Sequence, residues 1–146
     1  MKIRAFWWDR HANFGDALNP ILLQHFGYEV EQASADEADV CCVGSVLELV
    51  GPEFSGAIVG SGFVADGPPM PLPHARILAL RGPLSAARAG VMPDVLADPG
   101  LLCASLVPPR AAHVRIGVVP HFKYKALPAV LALGERDDVK VIDVQA

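Results

Sequence analysis

The sequence predicts an α/β domain in three layers, with helices packed on both faces of a mostly parallel β-sheet. Short runs of β-forming apolar residues alternate along the chain with segments whose apolar residues recur at helical spacing. This alternation is typical of parallel sheets, because a helix can carry the chain back to the edge where the next strand starts. Glycine or another turn-forming residue follows nearly every predicted strand. With 146 residues, 52% of them hydrophobic, the chain can bury one domain core.

The predicted strands are short and bounded by turn residues. We expect the first five to form one mostly parallel sheet, and a sixth strand closes the chain. In chain order they comprise residues 3–8, 39–43, 57–60, 75–80, 114–119 and 139–144.

The predicted helices follow the strands and carry recognisable end signals. The first helix follows the first strand and can end at Gly27. A short helix is predicted at residues 46–50. Pro83 suits the first position of a third helix, and Gly90 lies just beyond its last residue. Asp98 can cap a further short helix, although it could also belong to a site.

Composition narrows the class of protein. A net charge of −4 argues against a nonspecific nucleic-acid binder. No apolar run approaches the roughly 18 residues of a membrane span, and the first residues do not resemble a signal peptide. The three cysteines include the neighbours Cys41 and Cys42, which suggests no disulfide framework, and no Cys/His spacing predicts a metal site. A reducing cytoplasm is the expected compartment.

The segment 13–16, Asn-Phe-Gly-Asp, lies between the first strand and the first helix. In open α/β sheets ligands bind at the carboxyl ends of the strands, which is where this turn falls. Gly15 permits close approach to the backbone, and Asp16 can cap the helix. An ordinary strand-to-helix turn and a ligand site fit these residues about equally well.

Three further strand ends carry polar or flexible residues. The turn Gly60-Ser61-Gly62 could present backbone amides to a phosphate or a sugar hydroxyl, although a plain tight turn is the more frequent meaning of this pattern. Arg81 stands beside a helix start, where it suits an anion or simply faces solvent. His121 follows a strand and could contact a ligand, donate a proton or lie on the surface. We expect these residues to meet Asp16 at one edge of the sheet.

Taken together, five short motifs resemble those of the polysaccharide pyruvyl transferase family, in the same order and at similar intervals. The resemblance is greatest to the branch associated with exopolysaccharide synthesis. One departure is Ala97-Asp98-Pro99-Gly100, where the family usually has Gly-Asp-Pro-Ala. The motifs occupy residues 13–20 (NFGDALNP), 60–62 (GSG), 81–85 (RGPLS), 98–102 (DPGLL) and 116–121 (IGVVPH).

The resemblance implies a fold, an activity and a domain boundary. The fold would be the Rossmann-like N-terminal domain of a two-domain, glycosyltransferase-B-like protein. Residues 1–138 would form this domain, and residues 139–146 would begin a C-terminal domain that is missing here. The family's second half carries a Leu-His-Gly segment, which does not occur in this sequence.

The family transfers a pyruvyl group from phosphoenolpyruvate to sugar hydroxyls as a ketal. This chemistry needs a base for the hydroxyl, a proton donor for the methylene carbon and cationic or amide groups for the departing phosphate. It demands no metal, and phosphoenolpyruvate is the donor substrate rather than a cofactor. The resemblance implies catalytic roles for Asp16 and His121. It implies substrate binding by Asn13, Gly15, Asn19, Gly60, Ser61, Gly62, Arg81 and Ser85.

The expected partners are therefore a sugar or polysaccharide-precursor acceptor, phosphoenolpyruvate and the missing C-terminal domain, with no nucleic acid. We expect this chain to fold alone but to be nearly inactive, because one wall of the cleft would be absent. Its exposed domain face could then support a homo-oligomer. The alternatives are a noncatalytic module that binds a sugar or a partner and, less favoured, a domain of a nucleotide-sugar glycosyltransferase.

Overall fold

The computed structural model of the chain describes residues 1–108, 111 and 113–144. Its main element is a five-stranded sheet in which every pair of neighbouring strands is parallel. The strands lie in the order β2-β1-β3-β4-β5. They are β1 (Lys2–Phe6), β2 (Glu29–Gln32), β3 (Val40–Cys41), β4 (Ala57–Val59) and β5 (Arg76–Ala79).

Helices cover both faces of this sheet, which confirms the predicted three-layer α/β class. One face carries α1 and a 3₁₀ helix, and the other carries α2 and α3. Neighbouring residues of β3 separate the two cores, because Val40 packs with α1 whereas Cys41 packs with α2 and α3. The helices are α1 (Phe14–His25), α2 (Leu47–Val50), α3 (Pro83–Ala89) and the 3₁₀ helix (Pro99–Ser105).

The helix ends agree with most of the sequence signals. Pro83 opens α3, Gly90 ends it with φ +68°, and the Asp98 carboxylate accepts a hydrogen bond from the Gly100 N–H at 2.8 Å. The prediction that Asp16 caps α1 is wrong. Asn13 is the cap, with its side-chain oxygen accepting from the Gly15 N–H at 2.8 Å.

The direction of winding changes between β1 and β3. From β1 the chain passes through α1 to β2 on one side, whereas from β3 it passes through α2 to β4 on the other. Such a reversal leaves a crevice outside the carboxyl ends of the two central strands. The loops that follow β1 and β3 therefore border the crevice where this class of fold binds its ligands.

The strand predicted at residues 114–119 does not join the main sheet, so that part of the prediction is wrong. It forms β6 (Ile116–Val118), which pairs in parallel with β7 (Val139–Val141) in a separate two-stranded sheet. Helix α4 (Pro128–Gly134) connects the two strands. The sequence analysis did not predict β2, which is one of the five strands of the main sheet. The residues of β2, Glu29–Gln32, are mostly polar because this strand forms an exposed edge.

Candidate functional site

A cavity of about 490 Å³, here called the switch-point cleft, opens at the carboxyl ends of β1 and β3. Four residues predicted for the site line it, namely Asn13, Gly15, Asp16 and Arg81. The structure therefore brings together groups that lie up to 68 positions apart in the sequence. The remaining lining residues are Trp8, Val43, Gly44, Ser45, Val46, Glu48, Leu49, Val64 and Asp98.

Asp16 lies in the first turn of α1 with only 7% of its surface exposed. Its Oδ1 atom accepts a hydrogen bond from the Trp8 N–H at 3.3 Å. A Cβ atom on Gly44 would stand 3.1 Å from the same oxygen, and Gly44 has φ +126°. Burial raises the pKa of Asp16, and the Trp8 N–H opposes this only in part. The result is a carboxylate held at the strand ends and disposed to accept a proton.

The Asn19-Pro20 pair places α1 against the end of β3. Pro20 has no N–H for the Asp16 carbonyl, and the Asn19 side-chain amide donates to that carbonyl instead, at 3.1 Å. The same side chain donates to the Val43 carbonyl at 2.9 Å and accepts from the Val43 N–H at 2.8 Å. Asn19 is fully buried. These hydrogen bonds hold Asp16 beside Gly44. Asn19 was predicted to contact substrate, but it lies behind the wall of the cleft and does not line it.

Arg81 lies between the switch-point cleft and a second cavity of about 520 Å³, and lines both. Its guanidinium donates to the Ser45 hydroxyl and, at 2.7 Å, to the Phe63 carbonyl. A Cβ atom on Gly62 would stand 2.8 Å from Arg81 Nε, so this glycine leaves room for the guanidinium. Ser85 lines the second cavity with Arg81, and its hydroxyl accepts from the Phe63 N–H at 3.4 Å.

The acidic groups of the switch-point cleft differ in proton affinity. Burial would raise the pKa of Glu48, but the Val64 N–H at 3.1 Å and the Arg88 guanidinium at 2.6 Å bring it below its ordinary value. The pKa of Asp16 moves the opposite way. The Asp16 carboxylate therefore has a raised affinity for a proton, whereas that of Glu48 is lowered.

The turn after β4 packs against protein on both sides. Gly60 has φ +82°, and a Cβ atom there would stand 2.3 Å from Pro99 Cδ. Ser61 is fully buried, where its hydroxyl donates to the Cys42 carbonyl and contacts Cys41 Sγ at 3.0 Å. Gly60, Ser61 and Gly62 do not line the switch-point cleft. The sequence suggested that a ligand approaches the backbone of this turn. In the structure, protein atoms occupy that space.

His121 lines a neighbouring cavity of about 920 Å³, together with Trp8, Arg10, His11, Ala12, Asn13 and Val144. Its Nδ1 atom accepts from the Lys123 N–H at 3.3 Å at the start of a short 3₁₀ helix, Phe122–Tyr124. The two cavities share Trp8 and Asn13 as a common wall. Asp16 and His121 thus face adjacent cavities, with the second sheet held near α1 by a hydrogen bond from the Phe14 N–H to the Val144 carbonyl at 3.2 Å.

Sequence reasoning missed several residues of the site. Trp8 was assigned to the first strand, but it lies beyond Phe6, where β1 ends, and lines both cavities. Gly44 and Ser45 directly follow the strand predicted at residues 39–43 and were not predicted to belong to the site. The change in the direction of winding could have revealed them, because it brings the loop after β3 next to the loop after β1.

Within the described ranges, no group of three or more His, Cys, Asp or Glu side chains is arranged to hold a metal ion. No helix of the described residues has the length and apolar character to cross a membrane.

Comparison with known proteins finds one informative similarity. Over 106 residues the chain is 35% identical to the succinoglycan biosynthesis protein ExoV of Rhizobium meliloti strain 1021. The alignment takes in 69% of this chain and 33% of that protein, so the chain spans about a third of the length of its relative. No protein-family model matches the chain, and no solved structure matches it.

Proposed function

We propose that this chain acts in exopolysaccharide synthesis, as the acceptor-binding part of a pyruvyl transferase that uses phosphoenolpyruvate. The observation that carries the proposal is the buried Asp16 carboxylate, with its raised pKa, at the switch point of a parallel sheet. The succinoglycan biosynthesis relative supports the process. The five motifs that resemble the pyruvyl transferase family support the reaction.

The proposed reaction joins one carbon of the donor to two sugar oxygens. Protonation of the methylene carbon of phosphoenolpyruvate makes the adjacent carbon electrophilic, and a sugar hydroxyl adds to it. The bond to the phosphate oxygen then breaks, and a second sugar hydroxyl closes the ketal. Of the two hydroxyl protons, one balances the proton taken up by carbon and the other leaves with the phosphate.

Asp16 is the proposed base for the attacking hydroxyl. A carboxylate of raised pKa holds the transferred proton better than an ordinary one. The switch-point cleft suits a neutral, hydroxyl-rich acceptor, because its walls carry the carboxyl groups of Asp16, Glu48 and Asp98 beside one guanidinium. Carboxylates and backbone groups are the usual acceptors for sugar hydroxyls. His121, on the adjacent cavity, is the proposed proton donor to the methylene carbon.

The proposal is tested by the pyruvate content of the polysaccharide made by the strain that encodes this chain. The coding segment is deleted, and the secreted polysaccharide is analysed by NMR for ketal-linked pyruvate. Complementation uses the wild-type sequence, Asp16→Asn, and Glu53→Gln as a control at an exposed carboxylate outside the cleft. We expect pyruvate to be lost on deletion and restored by the wild type and Glu53→Gln. Asp16→Asn should fail, because a general base contributes roughly 10²–10⁴-fold to rate.

Two results would contradict the proposal. Unchanged pyruvate after deletion would exclude pyruvyl transfer. Full restoration by Asp16→Asn would favour a noncatalytic module that binds a sugar or a partner at the same cleft.

A direct assay of phosphate release from phosphoenolpyruvate, with the chain alone and a panel of sugars, is expected to show little turnover.

A further inference from the structure

The 920 Å³ cavity beside the switch-point cleft has a distinct chemical character. Its walls carry the side chains of Arg10, His11 and His121, and none of the described residues that line it is acidic. The switch-point cleft has three carboxyl groups and one guanidinium. Two cavities of opposite character therefore share one wall.

The guanidinium of Arg10 is placed to bind an anion. Its Cζ atom lies over the Trp8 ring, 5.3 Å from the ring centroid, which is within the range of a cation–π contact. This contact is not a hydrogen bond to a carbonyl, hydroxyl or carboxylate oxygen, so it leaves the guanidinium with N–H donors for an anion. Within the described part of the chain, no hydrogen bond or ion pair engages these donors. The contact with the Trp8 ring also limits the rotamers of the long Arg10 side chain, so less entropy is lost when an anion is bound.

Asn13 adds a neutral donor to the same wall. Its side-chain oxygen caps α1 by accepting from the Gly15 N–H, which leaves the amide N–H groups of Asn13 as donors. The amino end of the twelve-residue α1 begins at the next residue, and its dipole contributes positive potential there.

We propose that this basic cavity binds the phosphate group of a small phosphorylated ligand, held by the Arg10 guanidinium and the Asn13 amide. Under the proposed function, on which only the identity of this ligand rests, the ligand is the phosphoenolpyruvate donor. The donor then lies across the Trp8–Asn13 wall from the acceptor, beside His121. The separation of charge supports this placement, since a polyanionic donor is repelled by the carboxyl groups of the switch-point cleft.

The test is a binding measurement on the wild-type chain by isothermal titration calorimetry. Phosphoenolpyruvate, inorganic phosphate, glucose 1-phosphate and glucose are titrated separately. The variants are Arg10→Met, which removes the donors and keeps an unbranched, flexible side chain, and Arg76→Met as a matched control. Arg76 is an exposed arginine at the start of β5, on the opposite edge of the sheet. Histidine ring signals in NMR spectra locate the ligand, with His25 and His74 as internal references outside the cavity.

We expect the phosphorylated ligands to bind and glucose alone to leave the signals unchanged. Arg10→Met should weaken binding by roughly ten- to a hundred-fold, since charge-assisted hydrogen bonds are lost, whereas Arg76→Met should bind like the wild type. The ring signals of His11 and His121 should shift. Tighter binding of phosphoenolpyruvate than of the other phosphates would support it as the ligand, and preference for glucose 1-phosphate would support a phosphorylated sugar in the same cavity.

Equal affinity of the wild type and Arg10→Met would overturn the proposal, as would the absence of shifts at His11 and His121. Because no turnover is measured, the result is independent of the proposed function. Phosphate binding that depends on Arg10 would stand even if the polysaccharide lost no pyruvate on deletion. Pyruvyl transfer without such binding would overturn this inference alone.

Discussion

At the scale of single residues, Asp16 is a carboxylate that the fold buries with no cation beside it among the described residues. Among the described residues its one hydrogen-bond donor is the Trp8 N–H, and the neighbouring Gly44 keeps the space beside it free of a side chain. Burial without a charge partner makes ionisation less favourable in the folded chain than in the unfolded one. A buried carboxylate of this kind lowers the free energy of unfolding but can take part in proton transfer, as is typical of functional sites.

Replacing Asp16 by asparagine should therefore stabilise the protein at neutral pH. The pKa of Asp16 is raised in the folded state, so the folded chain binds the proton more tightly and the wild type loses stability as pH rises above the ordinary value of 3.8. Asparagine has no such ionisation and can still accept from the Trp8 N–H. Urea denaturation from pH 3 to pH 8 measures the free energy of unfolding. The difference between Asp16→Asn and the wild type, in favour of the variant, should grow with pH until the folded-state pKa of Asp16 is passed.

Glu53→Gln is the control, because Glu53 is exposed and lies outside the cleft. Its difference from the wild type should stay small at every pH. A constant difference between Asp16→Asn and the wild type across the range would show that packing, and not ionisation, decides the effect.

At the scale of elements, the turns after β3 and β4 are built around glycines that admit neighbouring groups. Gly44 admits the Asp16 carboxylate, and Gly60 admits the ring of Pro99. The 3₁₀ helix that Pro99 opens thereby packs close to the end of β4. Both turns thus make close contact with elements on the α1 face of the sheet, near the edge where the cleft opens.

Gly60→Ala should destabilise the protein far more than Gly27→Ala. Both glycines have a positive φ, +82° and +87°, so each substitution carries the backbone strain of about 1–2 kcal/mol. Only at Gly60 would the new methyl group also collide with protein, 2.3 Å from Pro99 Cδ, whereas nothing lies within 4 Å at Gly27. Overpacking adds roughly 1–3 kcal/mol. Thermal or urea unfolding of both variants measures the difference, and equal losses would show that the turn yields without strain.

At the scale of the whole molecule, the chain consists of a five-stranded sheet and a smaller βαβ unit. The smaller unit comprises β6, α4 and β7, and among its described residues only Val139 is buried. Helix α4 has no buried residue. Against the main sheet, by contrast, α1, α2 and α3 bury five, two and three residues, respectively. The cavity proposed for phosphate lies where the two units meet, near His121 and Val144.

Native-state hydrogen exchange should show that the smaller unit opens first. Local stability follows the burial of apolar contacts, so backbone amides of β6 and β7 should exchange with a lower opening free energy than those of β1 and β3. Addition of phosphoenolpyruvate should slow exchange around residues 118–121 if the proposed ligand site is correct. Exchange of both sheets in a single cooperative step would contradict the division into two units.

Local patterns in the sequence determined the fold class and much of the cleft. Alternation of apolar runs predicted a parallel sheet with helices on both faces, and the turn at residues 13–16 was placed at its carboxyl edge. These features are encoded by neighbours in the chain, through periodicity and turn chemistry. Asp16 and Arg81 were chosen because each follows a strand, and parallel strands share one exit edge, so two residues distant in sequence were expected to meet.

Only the tertiary structure decided burial, neighbours and the boundaries of cavities. Asn19 and Ser61 are polar residues in predicted site motifs, yet both are fully buried, because the core needs their hydrogen bonds to the backbone of the β3 end. His121 follows a strand as predicted, but that strand pairs with β7 outside the main sheet, and His121 lines a second cavity. Which strand pairs with which depends on the packing of whole faces over long sequence separations. Local patterns determine whether a segment forms a helix or a strand. Which elements pack or pair together follows from the free energy of the assembled core.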